Sequence, residues 1–296
     1  MSLTAGPVAI MLGSCSLRPT GRPAMSAINS ATPAARFRHV LAAAAAAAVA
    51  LLMLLAPAAE AATTAAPGND VSWPQCGQAL PKGQTFAIIG VNNGLANATN
   101  PCLDTQLTWA RTSKGGTGQA PVALYVNTAN PGKAGSWWPT SNTYGGTTVH
   151  SPYGECTSGS YGAACSYMYG YAKAYDDANI RGVSNPASYT WWLDVETGNS
   201  WSTDTVANRA DLEGMTAYFA SIGARTGLYS TRTQWAQIVG TVPSSSNLYA
   251  LPSWLAGANS LALAKRKCSD AALTGGGKVT LGQYVSGGFD YDYSCI

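Results

Sequence analysis

From residue 69 onward, short apolar runs alternate with segments in which apolar residues recur every three or four positions. The runs are typical of buried strands and the spaced segments of amphipathic helices, so the pattern predicts an α/β fold with a mainly parallel sheet. The predicted strands are Asp70–Ser72, Phe86–Val91, Pro121–Val126, Trp191–Glu196, Thr226–Tyr229, Ser253–Ala256, Val279–Tyr284 and Phe289–Tyr293. The predicted helices are Leu103–Lys114, Tyr167–Asn179, Asp204–Ile222 and Thr233–Val239. Ser202 or Thr203 is the expected N-cap of the third helix.

Residues 69–296 have the length of one α/β barrel, and no second linker divides them. We therefore predict a single-domain, irregular TIM-like (β/α) barrel that follows a Thr/Ala/Pro linker at residues 62–68. A segment rich in Gly, Trp, Tyr and Ser at about residues 130–165 interrupts the alternation. A loop of this length is usually functional or disordered, and Cys156 and Cys165 within it favour order.

The segment before residue 62 predicts export. Basic residues at Arg36–His39 precede an apolar run at Val40–Ala56 and the small-residue pattern Ala59-Glu60-Ala61, which together indicate a signal peptide at residues 1–61. An uncleaved anchor is the alternative, because 17 apolar residues are at the lower limit for a membrane span. We expect translation to start at Met25 and the protein to be secreted, with no membrane association after cleavage.

Charge and cysteine content agree with an extracellular protein. The chain has 17 basic and 14 acidic residues, of which four and one respectively precede residue 62, leaving 13 of each. This balance argues against a nucleic-acid partner. Six of the seven cysteines follow the predicted leader, and six allow fifteen pairings. Closure of short loops favours pairing of neighbours, namely Cys76–Cys102, Cys156–Cys165 and Cys268–Cys295. With no CxxC pair and only His39 and His150 in the chain, we expect neither metal nor cofactor.

The candidate chemistry lies at the end of the fourth predicted strand. Asp194 and Glu196 would share one strand face with Cα atoms roughly 6.5 Å apart, and such acids separate in pKa, as hydrolysis of a glycosidic bond requires. The structural alternative is that they cap the following helix. Asp70 and Asp290 also lie at or near predicted strands, so all four acids could converge on one mouth of the barrel.

Several segments in order resemble glycoside hydrolase family 25, the secreted N-acetylmuramidases. The similarity lies in an opening Asp-Val-Ser strand, a second strand, an Asp-x-Glu signature, two further strands and the closing Gln-Tyr and Asp-x-Asn strands. The corresponding residues are Asn69–Trp73, Phe86–Ile89 with Asn93-Gly94, Leu193–Glu196, Gly227–Ser230 with Trp235, Trp254–Ala256, Gln283-Tyr284 and Phe289–Asp292.

The resemblance implies an irregular β/α barrel with a groove at the strand ends. Glu196 would be the general acid and later the base, and Asp194 would orient the substrate's 2-acetamido group as it attacks the anomeric carbon, a scheme without an enzyme nucleophile. Asp70 and Asp290 would set the charge of the site or hold substrate; alternatively they are buried acids paired with backbone or tyrosine. The chain departs from the family at Tyr125–Asn127, at Gly90–Gly94 and in the 130–165 insertion.

Aromatic residues near strand ends suit a sugar ligand, although packing is the alternative for each. The expected substrate-binding residues are Tyr125, Asn127, Tyr229, Trp254 and Tyr284. The adjacent Trp191 and Trp192 should point to opposite faces and be structural. We therefore predict a secreted, monomeric hydrolase that cleaves β-1,4 bonds of cell-wall peptidoglycan. The alternatives are an inactive glycan-binding barrel and a hydrolase of another extracellular polysaccharide.

Overall fold

The structure is a computed structural model that describes residues 67–296. The predicted signal peptide, the start at Met25 and residues 62–66 of the linker lie outside this part of the chain. Gly68, which the sequence places in the linker, is instead the first residue of strand β1.

The described part contains ten strands and five α-helices. The strands are β1 Gly68–Val71, β2 Ala87–Gly90, β3 Val122–Asn127, β4 Thr143–Tyr144, β5 Thr147–Thr148, β6 Thr190–Asp194, β7 Arg225–Ser230, β8 Ser253–Ala258, β9 Val279–Ser286 and β10 Phe289–Ser294. The helices are α1 Leu103–Ala110, α2 Ala163–Asn179, α3 Thr205–Ser221, α4 Arg232–Ile238 and α5 Leu261–Lys267. Within residues 67–296, none of these helices is long and apolar enough to cross a membrane.

Eight of the described strands close into one barrel in the order β1, β2, β3, β6, β7, β8, β9 and β10. Neighbours from β1 to β9 are parallel, whereas β10 is antiparallel to both β9 and β1. The predicted α/β architecture, an irregular TIM-like barrel in a single domain, is confirmed.

Two glycines produce the reversal that leads into β10. Gly287 and Gly288 have φ angles of 59° and 80°, a conformation that a two-residue hairpin turn requires and that glycine adopts without strain. Because β10 runs against its neighbours, it begins at the end of the barrel where the parallel strands finish. Asp290, near the start of β10, is therefore paired directly with Asp70 in β1.

Side chains of the barrel strands alternate between the interior and the surrounding helices. The interior holds an apolar cluster of Phe86, Ile88, Ala123, Trp192, Trp254 and Leu281, against which Tyr125 and Tyr229 pack. On the outer face, Trp191 is buried and stacks on Phe219 of α3, with ring centroids 4.6 Å apart. The adjacent tryptophans thus point to opposite faces and both are packed, as predicted.

All four predicted helices have somewhat different bounds in the structure, and α2 begins at Ala163 rather than Tyr167. Helix α1 ends at Ala110 rather than Lys114, because the N–H groups of Thr112 and Ser113 bond to carbonyls three residues back in a turn. Helix α5 was not predicted, and its Ser260 N-cap accepts a hydrogen bond from the N–H of Leu263.

The predicted N-cap of helix α3 was wrong. Asp204 occupies this position, and its carboxylate accepts hydrogen bonds from the N–H groups of Val206 and Ala207. A carboxylate that reaches two free N–H groups is a strong cap, and its charge also suits the positive end of the helix. Ser202 supports this cap from outside the helix, since its hydroxyl accepts a hydrogen bond from the Asp204 N–H.

The insertion has defined structure. It contains the small β4–β5 hairpin and the Cys156–Cys165 disulfide, and α2 begins within it at Ala163. The other two predicted disulfides, Cys76–Cys102 and Cys268–Cys295, are also formed. The aromatic side chains of the insertion pack on α2: the ring of Trp138 stacks on Tyr169, with centroids 4.9 Å apart.

Helices α2 and α3 approach each other at two glycines. A methyl group on Gly170 would lie 1.8 Å from the carbonyl oxygen of Asp211, and one on Gly214 would lie 1.9 Å from that of Tyr167. Both obstacles are backbone atoms, so no side-chain rotation relieves the overlap.

We predict that Gly170→Ala destabilises the protein. Alanine favours a helix by about 1 kcal/mol over glycine, but forcing the helices apart costs about 3 kcal/mol, so the clash outweighs the gain. Denaturant unfolding should show a net loss of about 2 kcal/mol. Gly198→Ala is the control, because nothing lies within 4 Å of a methyl group there. Equal denaturation midpoints for the two variants would contradict this packing.

Candidate active site

A cavity of about 160 Å³ opens at the end of the barrel where the parallel strands finish, and it is lined by acids, aromatic rings and one amide. The lining residues are Asp70, Tyr125, Asp194, Glu196, Tyr229, Trp254, Gln283 and Asp290. The four predicted catalytic acids thus converge on one site, as do three of the five predicted substrate-binding residues. Within residues 67–296, no part of the 130–165 insertion lines the cavity.

Asn127 and Tyr284 were predicted to bind substrate but do not line this cavity. Tyr284 follows Gln283 on β9, and because Gln283 points into the barrel, Tyr284 points outward. Its ring stacks on Tyr291, with centroids 5.4 Å apart, beside Ala264 of α5. The N–H of Asn127 donates to the Asn92 side chain at the end of β3.

Asp194 and Glu196 are held by different parts of the chain. Strand β6 ends at Asp194, so Glu196 does not belong to the strand as predicted. The segment after β6 is fixed by the Trp201 indole N–H, which donates to the Glu196 carbonyl. Asp194 is buried, whereas Glu196 is partly exposed. Neither acid caps α3, since Asp204 does, so the structural alternative for this pair is wrong.

The acids lie close together in a poorly solvated site, and their pKa values rise. Burial, with the nearby charge of Asp290, raises the pKa of Asp70 above its usual range. Burial and the charges of Glu196 and Asp70 raise the pKa of Asp194 well above its usual range. Burial and Glu196 also raise the pKa of Asp290. Each shift favours the neutral, protonated form of its carboxyl.

A chain of hydrogen bonds crosses the interior of the barrel. The Tyr229 hydroxyl donates to Oε1 of Gln283 over 2.8 Å, and Nε2 of Gln283 donates to Oδ2 of Asp70 over 2.9 Å. Trp254 contacts Tyr229, with ring centroids 4.4 Å apart, and its indole N–H donates to the buried Asp292.

The sequence prediction did not include Gln283 or Asp292 in the site. The sequence feature that could have identified both residues is the alternation of inward and outward side chains along the two closing strands. Asp292 is two residues from Asp290 and so shares its strand face, and the strand register pairs Asp292 with Gln283. Among residues 67–296, no group of three or more His, Cys, Asp or Glu side chains is placed to hold a metal ion.

Comparison with known proteins gives partial sequence matches. Residues 172–265 match a family model described as Lysozyme-like protein 1. A segment of 65 residues, 22% of the chain, is 38% identical to a protein of Dictyostelium discoideum named probable GH family 25 lysozyme 4, of which it covers 29%. A segment of 78 residues, 26% of the chain, is 35% identical to Lysozyme-like protein 5 of Caenorhabditis elegans, of which it covers 35%. The chain thus spans about a third of the length of these curated relatives.

The resemblance to family 25 that the short motifs predicted is confirmed by these sequence matches. The family-model match contains Asp194 and Glu196, whereas Asp70 and Asp290 lie outside it. Among solved structures, a muramidase from Trichobolus zukalii aligns over 78% of this chain and 93% of its own length, at 19% identity and a TM-score of 0.48.

The raised pKa values predict that the protein is less stable at pH 8 than at pH 5. A carboxyl whose folded pKa is raised contributes stability that is complete below its ordinary pKa of 3.8 and is lost as the pH rises through the folded value, about 6 for Asp177. Each such group contributes up to about 1.4 kcal/mol per pH unit within its window. Asp194 and Asp211, whose pKa values burial raises well above the usual range, act in the same direction.

Urea unfolding between pH 5 and pH 8 measures this dependence. Asp211→Asn should reduce the slope of the unfolding free energy against pH, because burial raises the pKa of Asp211 well above its usual range. Asp104→Asn, at an exposed position, should leave the slope unchanged. A free energy of unfolding that increases over this range would contradict the assignment of retained protons.

Proposed function

We propose that this protein is a glycoside hydrolase that cleaves the β-1,4 bonds of peptidoglycan between N-acetylmuramic acid and N-acetylglucosamine. The observation that carries the proposal is the meeting of a partly exposed Glu196 and a buried Asp194 in one cavity lined by aromatic rings. The partial match to lysozyme-like proteins over residues 172–265 supports the same class of substrate.

Glu196 has the position expected of the general acid. It borders the cavity and keeps contact with solvent, so it can transfer a proton to the leaving oxygen and later take one from water. The fixed backbone at Glu196, held by the Trp201 indole, limits the directions that its carboxyl can take.

Asp194 would act on the 2-acetamido group of the substrate. Its side chain lines the cavity, so a carboxyl oxygen can accept a hydrogen bond from a substrate N–H. Orientation of the amide directs its carbonyl oxygen at the anomeric carbon. The new carbon–oxygen bond forms as the glycosidic bond breaks and Glu196 protonates the leaving oxygen. Water then opens the cyclic intermediate and gives its proton to Glu196.

The ring of acids suits this reaction because the transition state carries positive charge near the anomeric carbon. As the substrate gains that charge, ionised carboxyls around the cavity stabilise it. The tyrosines that line the cavity stay protonated, since burial raises the pKa of both Tyr125 and Tyr229 well above the usual range. Tyr125 can therefore donate a hydrogen bond to a sugar hydroxyl, whereas the Tyr229 hydroxyl already donates to Gln283 and can only accept one.

We predict that Glu196→Gln lowers the rate of peptidoglycan hydrolysis by about 100- to 10,000-fold, the range for loss of a general acid. Thermal unfolding should change little, because the Glu196 side chain is partly exposed. Glu155→Gln is the matched control, since it makes the same chemical change at an exposed residue of the insertion. If both variants clear cell-wall suspensions at the wild-type rate, Glu196 is not the acid.

Mass spectrometry of digested peptidoglycan identifies the bond that breaks. Reducing ends on N-acetylmuramic acid support the proposal, and reducing ends on N-acetylglucosamine contradict it. Co-sedimentation with cell walls without release of reducing ends would instead indicate a glycan-binding barrel. Release of fragments from chitin-like polymers but not from peptidoglycan would identify a hydrolase of another polysaccharide.

A further inference from the structure

Asp292 is a buried acid that the proposed reaction does not use. It lies on β10 with no exposed surface, between β9 and β1. The indole N–H of Trp254 donates to its Oδ1 over 2.8 Å. Trp254 in turn lines the cavity and contacts Tyr229, so Asp292 lies directly behind the surface that substrate would meet.

Asp292 is also in contact with another carboxyl group. No N–H or O–H donor among residues 67–296 reaches Oδ2, which is fully buried. The group in hydrogen-bonding contact with Asp292 is instead the side chain of Asp70. Two ionised carboxylates can only accept hydrogen bonds, so this contact requires that one of the two acids carries a proton.

The surrounding hydrogen bonds show which acid carries it. On its other side, Asp70 accepts from Gln283, whose own oxygen is occupied by the Tyr229 hydroxyl. Asp70 also receives a hydrogen bond from its own backbone, and it lines the cavity. Charge is less costly on the acid with more donors and nearer to solvent, which is Asp70. The proton therefore belongs to Asp292.

We propose that Asp292 is a positioning residue that remains protonated and donates a hydrogen bond to Asp70, which holds the Asp70 carboxylate and the Trp254 indole in place at the cavity. Asp292 then accepts from the indole through one oxygen and donates through the other. Asp292 donates directly to Asp70, whereas Tyr229 acts on Asp70 through Gln283, which accepts from Tyr229 and donates to Asp70. The direction of every hydrogen bond in this chain is thereby fixed.

The groups that face Asp292 favour its neutral form. Asp70 on β1 and Asp290 on β10 are the acids whose charges act on Asp292. Tyr284 on β9 points away from the barrel interior, although the charge of Asp292 reaches it. Burial, followed by the charge of Asp70, raises the pKa of Asp292 well above its usual range, while the hydrogen bond between the two lowers the pKa of Asp70. These opposite effects agree with Asp292 as donor and Asp70 as acceptor.

Asparagine is the variant that distinguishes this arrangement from a purely structural role. In Asp292→Asn, the amide oxygen accepts from Trp254 and the amide N–H donates to Asp70, so both hydrogen bonds persist. Asp292→Leu has a similar volume and neither bond. We expect Asp292→Asn to retain kcat/KM within about threefold and Asp292→Leu to lose at least tenfold on peptidoglycan; this comparison rests on the proposed function.

Unfolding experiments test the proton without reference to activity. Above pH 5 the unfolded chain releases the Asp292 proton and the folded chain keeps it, so the unfolding equilibrium constant gains about tenfold per pH unit from this residue. Asp292→Asn should remove that contribution between pH 5 and pH 7, whereas Asp104→Asn should not. Asp70→Asn should lower the denaturation midpoint more than Asp292→Asn. If the new NH₂ group at position 70 faces Asp292, two donors oppose each other. If it faces Gln283, the Gln283 amide must turn over, and the Tyr229 hydroxyl loses its acceptor.

Two results would overturn the proposal and assign the proton to Asp70. One is that Asp292→Asn leaves the dependence of the unfolding free energy on pH unchanged. The other is that Asp292→Asn has a lower denaturation midpoint than Asp70→Asn. Loss of activity in Asp292→Asn equal to that in Asp292→Leu would overturn the positioning role. If the wild-type protein cleaves no glycan, the proposed function fails, and the unfolding experiments still decide where the proton lies.

Discussion

The antiparallel strand β10 is the feature on which the site depends. A barrel closed only by parallel strands would receive side chains at its mouth from strand ends alone. Because β10 runs the other way, it places the beginning of a strand there and pairs Asp290 with Asp70. It also places Asp292 behind Trp254, within contact of Asp70. Five carboxyl groups are thereby collected around one end of the barrel interior.

Such a cluster is stable only if its members do not all ionise. Desolvation penalises each charge, and each charge penalises the next, so protons are retained on the most buried members. The donors in this network are neutral: the Gln283 amide donates to Asp70, the Trp254 indole to Asp292 and the Tyr229 hydroxyl to Gln283. Neutral donors leave the negative potential of the cavity intact, which a positively charged partner would cancel.

Much of this arrangement could be predicted from the sequence. Apolar runs located the barrel strands, and the acids near their ends identified Asp70, Asp194, Glu196 and Asp290. The prediction of which side chains point into the barrel was less successful. Tyr284 was assigned to the site, but its neighbour Gln283 points inward and Tyr284 therefore points outward. Asp292 was missed because strand alternation placed it on the same face as Asp290 but did not reveal its partners, which come from distant parts of the chain. The cap at Asp204 was missed for a local reason, since Ser202, Thr203 and Asp204 are all good caps.

The position at which β10 ends also determines how the protein can be fused or immobilised. The strand starts at the cavity and finishes at Ser294, so the chain leaves the barrel at the opposite end. There the exposed Ile296 lies beside Ala120, Thr190 and Arg225, which adjoin the beginnings of β3, β6 and β7. A fusion partner, affinity tag or solid support joined to the carboxyl terminus therefore leaves the mouth of the barrel facing away from the point of attachment and open to a long polymer.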